Sequence, residues 1–246
     1  MYTLFKQKIF QRLRPYMQII SNEHHHLCLI GPMKMPLDVD GNTYVFSWYT
    51  WVNHQFIHDA KSTEEVFQLL FGTSLADHQL SSVLVYGDFQ NEKEAFVRFH
   101  SICHTGDVFS SKRCDCGEQF QEAKKRIVKE GCGAIFYLAN QEGRGIGLFH
   151  KAMTYLLQEQ GFDTIEANEA LGFKDEMRQY DESVTVLKAL RNMPIHLITN
   201  NPNKLKYLQQ SGVTIERQIP VWCQTTPYNK RYIETKITRS GHIVIE

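Results

Sequence analysis

Three cysteines, Cys103, Cys114 and Cys116, follow a C-x10-C-x-C spacing that constrains this chain more than any other feature of its sequence. Half of its six cysteines therefore fall within fourteen residues. Thiolates are preferred ligands of zinc, and three protein ligands leave the fourth tetrahedral position open to water, as at catalytic zinc sites. The spacing predicts one zinc ion per chain at a site that can do chemistry. His100 and His104 lie near enough in sequence to be candidate fourth ligands. A fourth protein ligand would close the site and make it a structural zinc module.

The charge of the chain is balanced, with 27 lysine and arginine residues against 27 aspartate and glutamate residues. Such a chain has no broad basic field, so nucleic acid is not expected as a partner, and an anionic ligand requires a local cluster of cations. No run of about 18 apolar residues occurs, which predicts no membrane span. The first twenty residues are too charged for the apolar core of a signal peptide. Because cysteines that bind metal argue against a disulfide framework, we expect a cytoplasmic protein.

From residue 81 onward, apolar runs typical of strands alternate with segments of helical periodicity. Residues 133–139 form a short apolar run, which a Gly-rich turn and a helical stretch over 147–161 follow. In this arrangement backbone N–H groups at a helix N-terminus can hold phosphate. The alternation predicts an α/β fold, with a three-layer α/β/α arrangement around a largely parallel sheet. The runs SVLVYGD and EAFVRFHS, which a polar turn joins, predict a β-hairpin.

The first 80 residues carry weaker signals. An apolar face over residues 1–14 predicts an amphipathic helix that docks on its own domain rather than on a membrane. An Asp-Gly turn before the aromatic run 41–52 predicts a strand or hairpin, and Ser62 is expected near the start of a short helix that ends near Phe71. We therefore expect an N-terminal extension over residues 1–80 that contains a β-hairpin, followed by the main domain over residues 81–246.

Several motifs over residues 81–246 together resemble the GTP cyclohydrolase II family and occur in that family's order. They read RFHSICHTGDVFSSKRCDCGEQ, QEGRGIGL, GFDTIEANEALGF, TNNPNK and YIETKITRSGH. The resemblance implies hydrolytic opening of the imidazole ring of GTP at the start of riboflavin synthesis, with zinc and Mg²⁺ as cofactors. Formate and pyrophosphate are then released, and a 2,5-diamino-6-ribosylamino-pyrimidinone 5'-phosphate remains. It also implies a homodimer.

The resemblance assigns roles position by position. The three cysteines match the zinc ligands, Tyr155 matches an active-site tyrosine, and Arg178 matches an arginine proposed as nucleophile toward the phosphate chain. Ten further positions match residues that hold GTP: Arg98, His100, Ser101, Gln119, Glu142, Gly143, Arg144, Thr164, Thr199 and Lys204. Arginine and lysine among them suit a triphosphate on chemical grounds as well. From the residues alone, Tyr155 could equally be a core tyrosine, and the two threonines could be helix or strand caps.

Four positions depart from the family's pattern. Glu176 stands where the family has its general-base aspartate, Gln179 replaces an acid, Ile102 a common glutamate, and Met153 a basic residue. Asp175 is one residue away, so a local shift could restore an aspartate. Glutamate places its carboxylate one methylene further from the backbone, and a misplacement of about 1 Å can cost on the order of 100-fold in rate. The alternatives are a paralogue that stops at a formamidopyrimidine or uses another nucleotide, and a GTP-binding regulator without turnover.

Overall fold

The computed structural model of the chain describes residues 2–57, 59–174, 176–221 and 223–243, so Asp175 lies outside the described residues. The helices are α1 Tyr2–Leu13, α2 His54–Ile57, α3 Thr63–Leu70, α4 Cys116–Glu130, α5 Leu148–Glu159, α6 Thr164–Ala170, α7 Asp181–Leu190, α8 Pro202–Gln210 and α9 Lys230–Thr238. The strands are β1 Met17–Ser21, β2 His26–Val39, β3 Asn42–Val52, β4 Ser82–Tyr86, β5 Phe96–Ser101, β6 Gly133–Leu138, β7 Ile195–Ile198 and β8 Ile215–Ile219. Among the described residues, no helix has the length and apolar character that crossing a bilayer requires.

The eight strands form one mixed sheet in the order β1-β2-β3-β4-β6-β5-β7-β8. Neighbours from β1 to β4, and β4 with β6, are antiparallel, whereas β6, β5, β7 and β8 run parallel. The α/β class is therefore confirmed, but the prediction of a largely parallel sheet holds only for one half of the sheet. The predicted hairpin of β4 and β5 is wrong, because β6 lies between these strands and pairs with both.

The apolar residues of the central strands pack on both sides of the sheet. Alternate side chains point to opposite faces of a strand. Phe96 and Ile135 pack with Ile127 of α4, whereas their neighbours in sequence pack in a second cluster with residues of α7 and α8. Helices therefore cover both faces of the parallel half, which explains why β6 reads as an almost continuous apolar run and why β5 is buried almost throughout. The three-layer description of the whole chain stays a prediction.

The first 80 residues join the same sheet. The Asp40-Gly41 turn connects β2 to β3, and both residues have positive φ values of 57° and 79°, as a tight hairpin turn requires. The predicted hairpin is thus confirmed, and β3 continues the sheet by pairing with β4. The predicted helix is also confirmed, because the Ser62 side chain accepts a hydrogen bond from the backbone of Glu65 at the start of α3. Phe10 of α1 is buried and its ring lies 5.4 Å from that of Phe67, so α1 docks on the chain's own helix. A domain boundary at residue 80 stays a prediction.

The connections of the parallel strands define where a ligand can lie. The chain leaves β5 toward β6 on one side, through α4, and returns from β6 to β7 on the other side of β5. Adjacent strands whose connections diverge in this way leave a crevice at their carboxyl ends, which is the usual ligand site in parallel sheets. Cys103 follows β5, Glu142 follows β6 and Thr199 follows β7. The topology therefore gathers the three motif regions at one edge.

Candidate active site

One cleft at this edge is lined by all sixteen residues to which the sequence analysis gave roles. It encloses about 1250 Å³, including its open mouth. Its walls come from the loops after β5, β6 and β7, from α5 and α6, and from α9 and the residues that follow it. Of the four positions that depart from the family's pattern, Ile102 and Glu176 line the cleft, whereas Met153 and Gln179 do not. The first two are therefore the departures that can touch a ligand.

The three predicted zinc ligands form a compact thiol cluster. The sulfur atoms of Cys103, Cys114 and Cys116 all lie within 4.8 Å of one another, and those of Cys103 and Cys114 are 3.6 Å apart. Sulfur ligands of a tetrahedral zinc ion, each about 2.3 Å from the metal, are separated by roughly 3.8 Å. The cluster therefore fits zinc in both donor type and spacing. A π-helical turn, His104–Val108, brings Cys103 back toward the N-terminus of α4, where the other two cysteines lie.

A glycine in this turn leaves room for the sulfur atoms. A Cβ atom at Gly106 would lie 3.1 Å from the sulfur atoms of both Cys103 and Cys114. We predict that Gly106→Ala displaces the two sulfurs and lowers zinc affinity by about ten- to a hundredfold, the loss typical of disturbed ligand orientation. Competition with a chromophoric chelator measures the affinity. An alanine variant that holds zinc as tightly as the unchanged protein would contradict this account of the turn.

The two histidines proposed as alternative fourth ligands are engaged elsewhere. The Nε2 atom of buried His100 lies 3.0 Å from the carboxylate of Asp107, and the ring of His104 packs edge-on against Phe109. Within the described ranges, the three thiols form the only group of potential metal ligands that includes Cys103. The geometry thus favours an open metal site over a closed structural one. The Asp107 carboxylate also accepts hydrogen bonds from the hydroxyl of Tyr137 and from the backbone of Cys103.

Lys151, a residue not predicted from the sequence, brings a positively charged side chain next to the thiol cluster. Its Nζ donates to the sulfur of Cys103 at 3.2 Å and to the carboxylate of Glu142 at 2.6 Å. Hydrogen bonds from the neighbouring thiols, with a further contribution from Lys151, lower the pKa of Cys103, and the bond to Cys103 raises the pKa of Cys114 to about 11. One thiolate therefore forms readily within the cluster. The signal for Lys151 was its position on α5, four residues before Tyr155 and on the same helical face.

The predicted tyrosine lies beside the same cluster. The hydroxyl of Tyr155 is 3.2 Å from the hydroxyl of Thr105, and the guanidinium of Arg113 stacks 4.2 Å from the centre of its ring. Burial raises the pKa of Tyr155, so its phenol stays protonated at neutral pH. A protonated phenol can donate a proton or a hydrogen bond to a ligand atom near the thiols.

A second part of the cleft gathers cations, and Arg98 and Lys204 are buried among them. Arg98 donates to Gln119 at 2.6 Å, and Lys204 donates to the backbone carbonyl of Phe99 at 2.6 Å. Within the described part of the chain, no carboxylate lies within ion-pair distance of Lys204. Burial, together with the charges of Arg178 and Arg98, holds the pKa of Lys204 well below its usual range. An anionic ligand beside Lys204 would stabilise the charged form of its ammonium group, so this part of the cleft favours negative charge.

The residues assigned to general-base and nucleophile roles form an ion pair. The Nε atom of Arg178 lies 2.6 Å from one carboxylate oxygen of Glu176, and its Nη2 atom contacts the other oxygen. Burial raises the pKa of Glu176, but the hydrogen bond and charge of Arg178 outweigh it and lower the pKa overall. Glu176 is therefore ionised at neutral pH. The extra methylene of glutamate, compared with aspartate, lets the Glu176 carboxylate reach the guanidinium of Arg178, two residues later in the chain.

The buried side chain of Gln141 is linked to the ion pair of Glu176 and Arg178 through Ser101. The Nη1 atom of Arg178 lies 3.4 Å from the hydroxyl of Ser101, which donates to the side chain of Gln141 at 2.7 Å. Gln141 in turn donates to the backbone carbonyl of Gln179 at 2.6 Å. The side chain of Gln179 is exposed, so this substitution removes an acid that would not face the cleft. Gln141, which the sequence analysis also did not name, positions Ser101 against Arg178.

The Gly-rich turn after β6 has a strained backbone. Gly143 and Arg144 both have positive φ values, 61° and 65°, and a non-glycine residue there is uncommon and often marks a functional site. Glu142 faces inward, since its carboxylate accepts from Lys151 and from the backbone N–H groups of His104 and Gly143. The turn therefore projects the Arg144 side chain into the cleft and uses Glu142 as the anchor.

The two predicted threonines line the cleft, and other residues cap the adjacent helices. Asp163 caps α6, of which Thr164 is the first residue, and Asn201 caps α8. The hydroxyl of Thr199 accepts a hydrogen bond from the backbone of Asn201. Another lining residue that sequence reasoning missed is Asn168, whose buried Nδ2 has no hydrogen-bond partner among the described residues.

The parallel-strand crevice thus combines a thiol cluster that could hold a metal ion at one wall with cations at the other, an arrangement suited to an anionic ligand. A profile of the GTP cyclohydrolase II family matches residues 57–220, and the chain belongs to that family. The riboflavin biosynthesis protein RibBA of Bacillus velezensis is 39% identical over 213 residues, which cover 86% of this chain and 53% of the relative. GTP cyclohydrolase-2 of Picrophilus torridus is 46% identical over 162 residues, covering 66% of this chain and 84% of the relative. The chain spans about half the length of the RibBA proteins that it matches.

Proposed function

We propose that this chain hydrolyses GTP, opening the imidazole ring of guanine with release of formate and pyrophosphate. The product would be 2,5-diamino-6-ribosylamino-pyrimidinone 5'-phosphate, and the activity would serve riboflavin biosynthesis, as the names of the relatives indicate. The observation that carries the proposal is the juxtaposition of the open thiol cluster and the buried cations in one cleft. A ligand with an electrophilic ring at one end and a polyphosphate at the other fits that combination.

The thiol wall is where the ring would react. Cys103, Cys114 and Cys116 would hold one zinc ion, which supplies a Lewis acid and lowers the pKa of a water toward 7. Lys151 offsets negative charge on the thiolates through its contact with Cys103. Tyr155, whose hydroxyl lies 3.2 Å from that of Thr105, would give a proton to a ring nitrogen as the ring opens.

The cationic wall would hold the phosphates. Arg98, Arg144 and Lys204 bind phosphate oxygens, together with Mg²⁺ on the triphosphate. Arg178 would act as nucleophile on the α-phosphorus: a P–N bond would form as the bond to pyrophosphate breaks, and Glu176, already in contact with the guanidinium, would accept the proton that the guanidinium loses. Water would then cleave the P–N bond and leave the 5'-phosphate. His100 and Gln119 orient Arg98, and Ser101 orients Arg178. Glu142, Gly143, Thr164 and Thr199 complete the binding surface, and we propose a homodimer as the working assembly.

A second candidate is favoured by one observation, the two hydrogen bonds between Glu176 and Arg178. A carboxylate held against the guanidinium is withheld from the ring, so deformylation could proceed only part way and the enzyme would then stop at a formamidopyrimidine product. A GTP-binding regulator without turnover is the limiting case of the same effect.

One assay tests the proposal and separates these candidates. Purified protein is incubated with GTP, Zn²⁺ and Mg²⁺ while formate, pyrophosphate and product mass are followed together. We expect formate and pyrophosphate in equal amounts. Ring opening without formate would identify the formamidopyrimidine reaction, and binding without conversion would identify a regulator. If GTP is neither bound nor changed, the proposed function is wrong.

A further inference from the structure

The segment 230–243, which contains the last of the family-like motifs, follows the residues 57–220 that the family profile matches, and it forms part of the cleft wall. It consists of α9 and the residues that follow it. Tyr232 and Lys236 of α9, and Ser240 and His242 after it, line the cleft beside the residues that were assigned from the sequence. The hydroxyl of Tyr232 lies 3.9 Å from the sulfur of Cys116. The segment therefore reaches the thiol cluster itself.

Three contacts hold the segment in place. Lys236 forms a 2.7 Å ion pair with Asp115, which is only 1% exposed and stands between Cys114 and Cys116 in the sequence. Arg239 forms a 2.5 Å ion pair with Asp163 at the N-terminus of α6. The backbone N–H of Ile243 donates to the carbonyl of Asn200, which follows β7. The segment thus connects the thiol loop, α6 and the β7 edge across the cleft.

The position of the segment adds positive charge where the cations already converge. Its Lys236 is close enough to Lys204 to contribute to the lowered pKa of that residue. Burial, together with the charges of Lys236, Arg144 and Arg178, lowers the pKa of His242 to about 3, and Asp115 opposes the shift. The lowered pKa values of Lys204 and His242 share a cause, because positive charges from different elements face one another across the same part of the cleft. A polyanion in that volume is attracted to all of them.

We propose that Lys236 and His242 are polyphosphate-binding residues and that segment 230–243 completes the nucleotide site. The ligand class is the polyphosphate chain of a nucleotide, so the inference rests on the proposed function for its biological ligand. Lys236 has three N–H donors, of which Asp115 takes one, and the others are available to phosphate oxygens. His242 donates a ring N–H to the same chain of phosphates.

The experiment measures binding of inorganic tripolyphosphate, GTP and GMP by calorimetry at fixed ionic strength, using the full chain. Lys236→Met is expected to weaken tripolyphosphate and GTP binding by about ten- to a hundredfold, the range for a hydrogen bond between charged groups. His242→Asn is expected to weaken both by about two- to tenfold. The loss should be greater for GTP than for GMP, a difference that a purely structural role would not produce. Lys230→Met is the matched control, because Lys230 lies on α9 but is 67% exposed and outside the cleft.

Lys236→Met leaves the buried carboxylate of Asp115 without its partner, and this variant could fail to fold. The double variant Asp115→Asn with Lys236→Met removes that charge, and His242→Asn leaves the ion pair intact. Binding of tripolyphosphate and GTP as tight in these variants as in Lys230→Met overturns the inference, as does an unchanged protein that binds neither ligand. An unchanged protein that binds tripolyphosphate through Lys236 and His242 but does not convert GTP leaves the inference standing and overturns the proposed function.

Discussion

Replacing Cys114 with serine is expected to remove zinc from the chain and to reduce formate release by more than about 100-fold. Mutating a group that only hydrogen-bonds to a metal ligand typically lowers metal affinity or activity 10- to 100-fold, so loss of a ligand itself should lower them further. Cys114 is buried, and its sulfur lies 3.6 Å from that of Cys103, so a serine hydroxyl would replace a soft thiolate at the centre of the cluster. Metal analysis of the purified protein and a formate assay measure the two effects.

The same variant should affect the two products unequally. Pyrophosphate release would depend on Glu176 and Arg178, whose contacts run to Ser101 and not to the thiols. We therefore expect pyrophosphate release from Cys114→Ser to fall much less than formate release. The control is Cys28→Ala, which removes a buried cysteine that packs with Val52 and Ile57 and does not belong to the thiol cluster. It should retain zinc and activity. A Cys114→Ser protein with full zinc content would show that the metal assignment is wrong.

The chemistry of the site was more predictable from sequence than its topology was. Metal ligands follow local rules of residue type and spacing, and the three cysteines that those rules selected form the cluster. The hairpin of β4 and β5 is wrong for a physical reason. A polar turn shows that the chain reverses direction, but it does not show whether a later strand will insert between the two arms. Here β6, which is buried almost throughout, takes the central place between them.

Lys236 shows what the sequence could not provide. It is an ordinary lysine in its local context, and its role comes from a contact with Asp115, which lies 121 residues earlier in the chain. A buried ion pair between residues distant in sequence leaves no local pattern. Gln141 is similar, since its position within the QEGRG motif was visible but its link from Ser101 to the Gln179 carbonyl required the fold. Contacts of this kind depend on how the loops pack against one another, and neither the periodicity nor the composition of the sequence encodes that packing.

Replacing Glu176 with glutamine is expected to reduce pyrophosphate release by about 10²- to 10⁴-fold, the contribution of a positioned proton acceptor. Glutamine keeps the size of the side chain and one carbonyl acceptor for Arg178, but it cannot take the proton that a nucleophilic guanidinium must lose. The thiol wall is untouched, so formate release should fall less, and the ratio of formate to pyrophosphate should rise. Single-turnover measurement of both products gives that ratio directly. Cys114→Ser should move the same ratio in the opposite direction.

Glu176→Asp decides whether the extra methylene matters. The shorter side chain is not expected to make both hydrogen bonds to Arg178 from the same backbone position, and it restores the aspartate that the family resemblance implies there. If the glutamate slows the phosphate reaction, aspartate should raise pyrophosphate release, with an upper limit near the 100-fold associated with a displacement of about 1 Å. Glu122→Gln, an exposed change on α4, is the control for loss of a carboxylate alone. Full pyrophosphate release by Glu176→Gln would remove the proton-accepting role, because the contact with Arg178 would then serve only to hold the guanidinium in place.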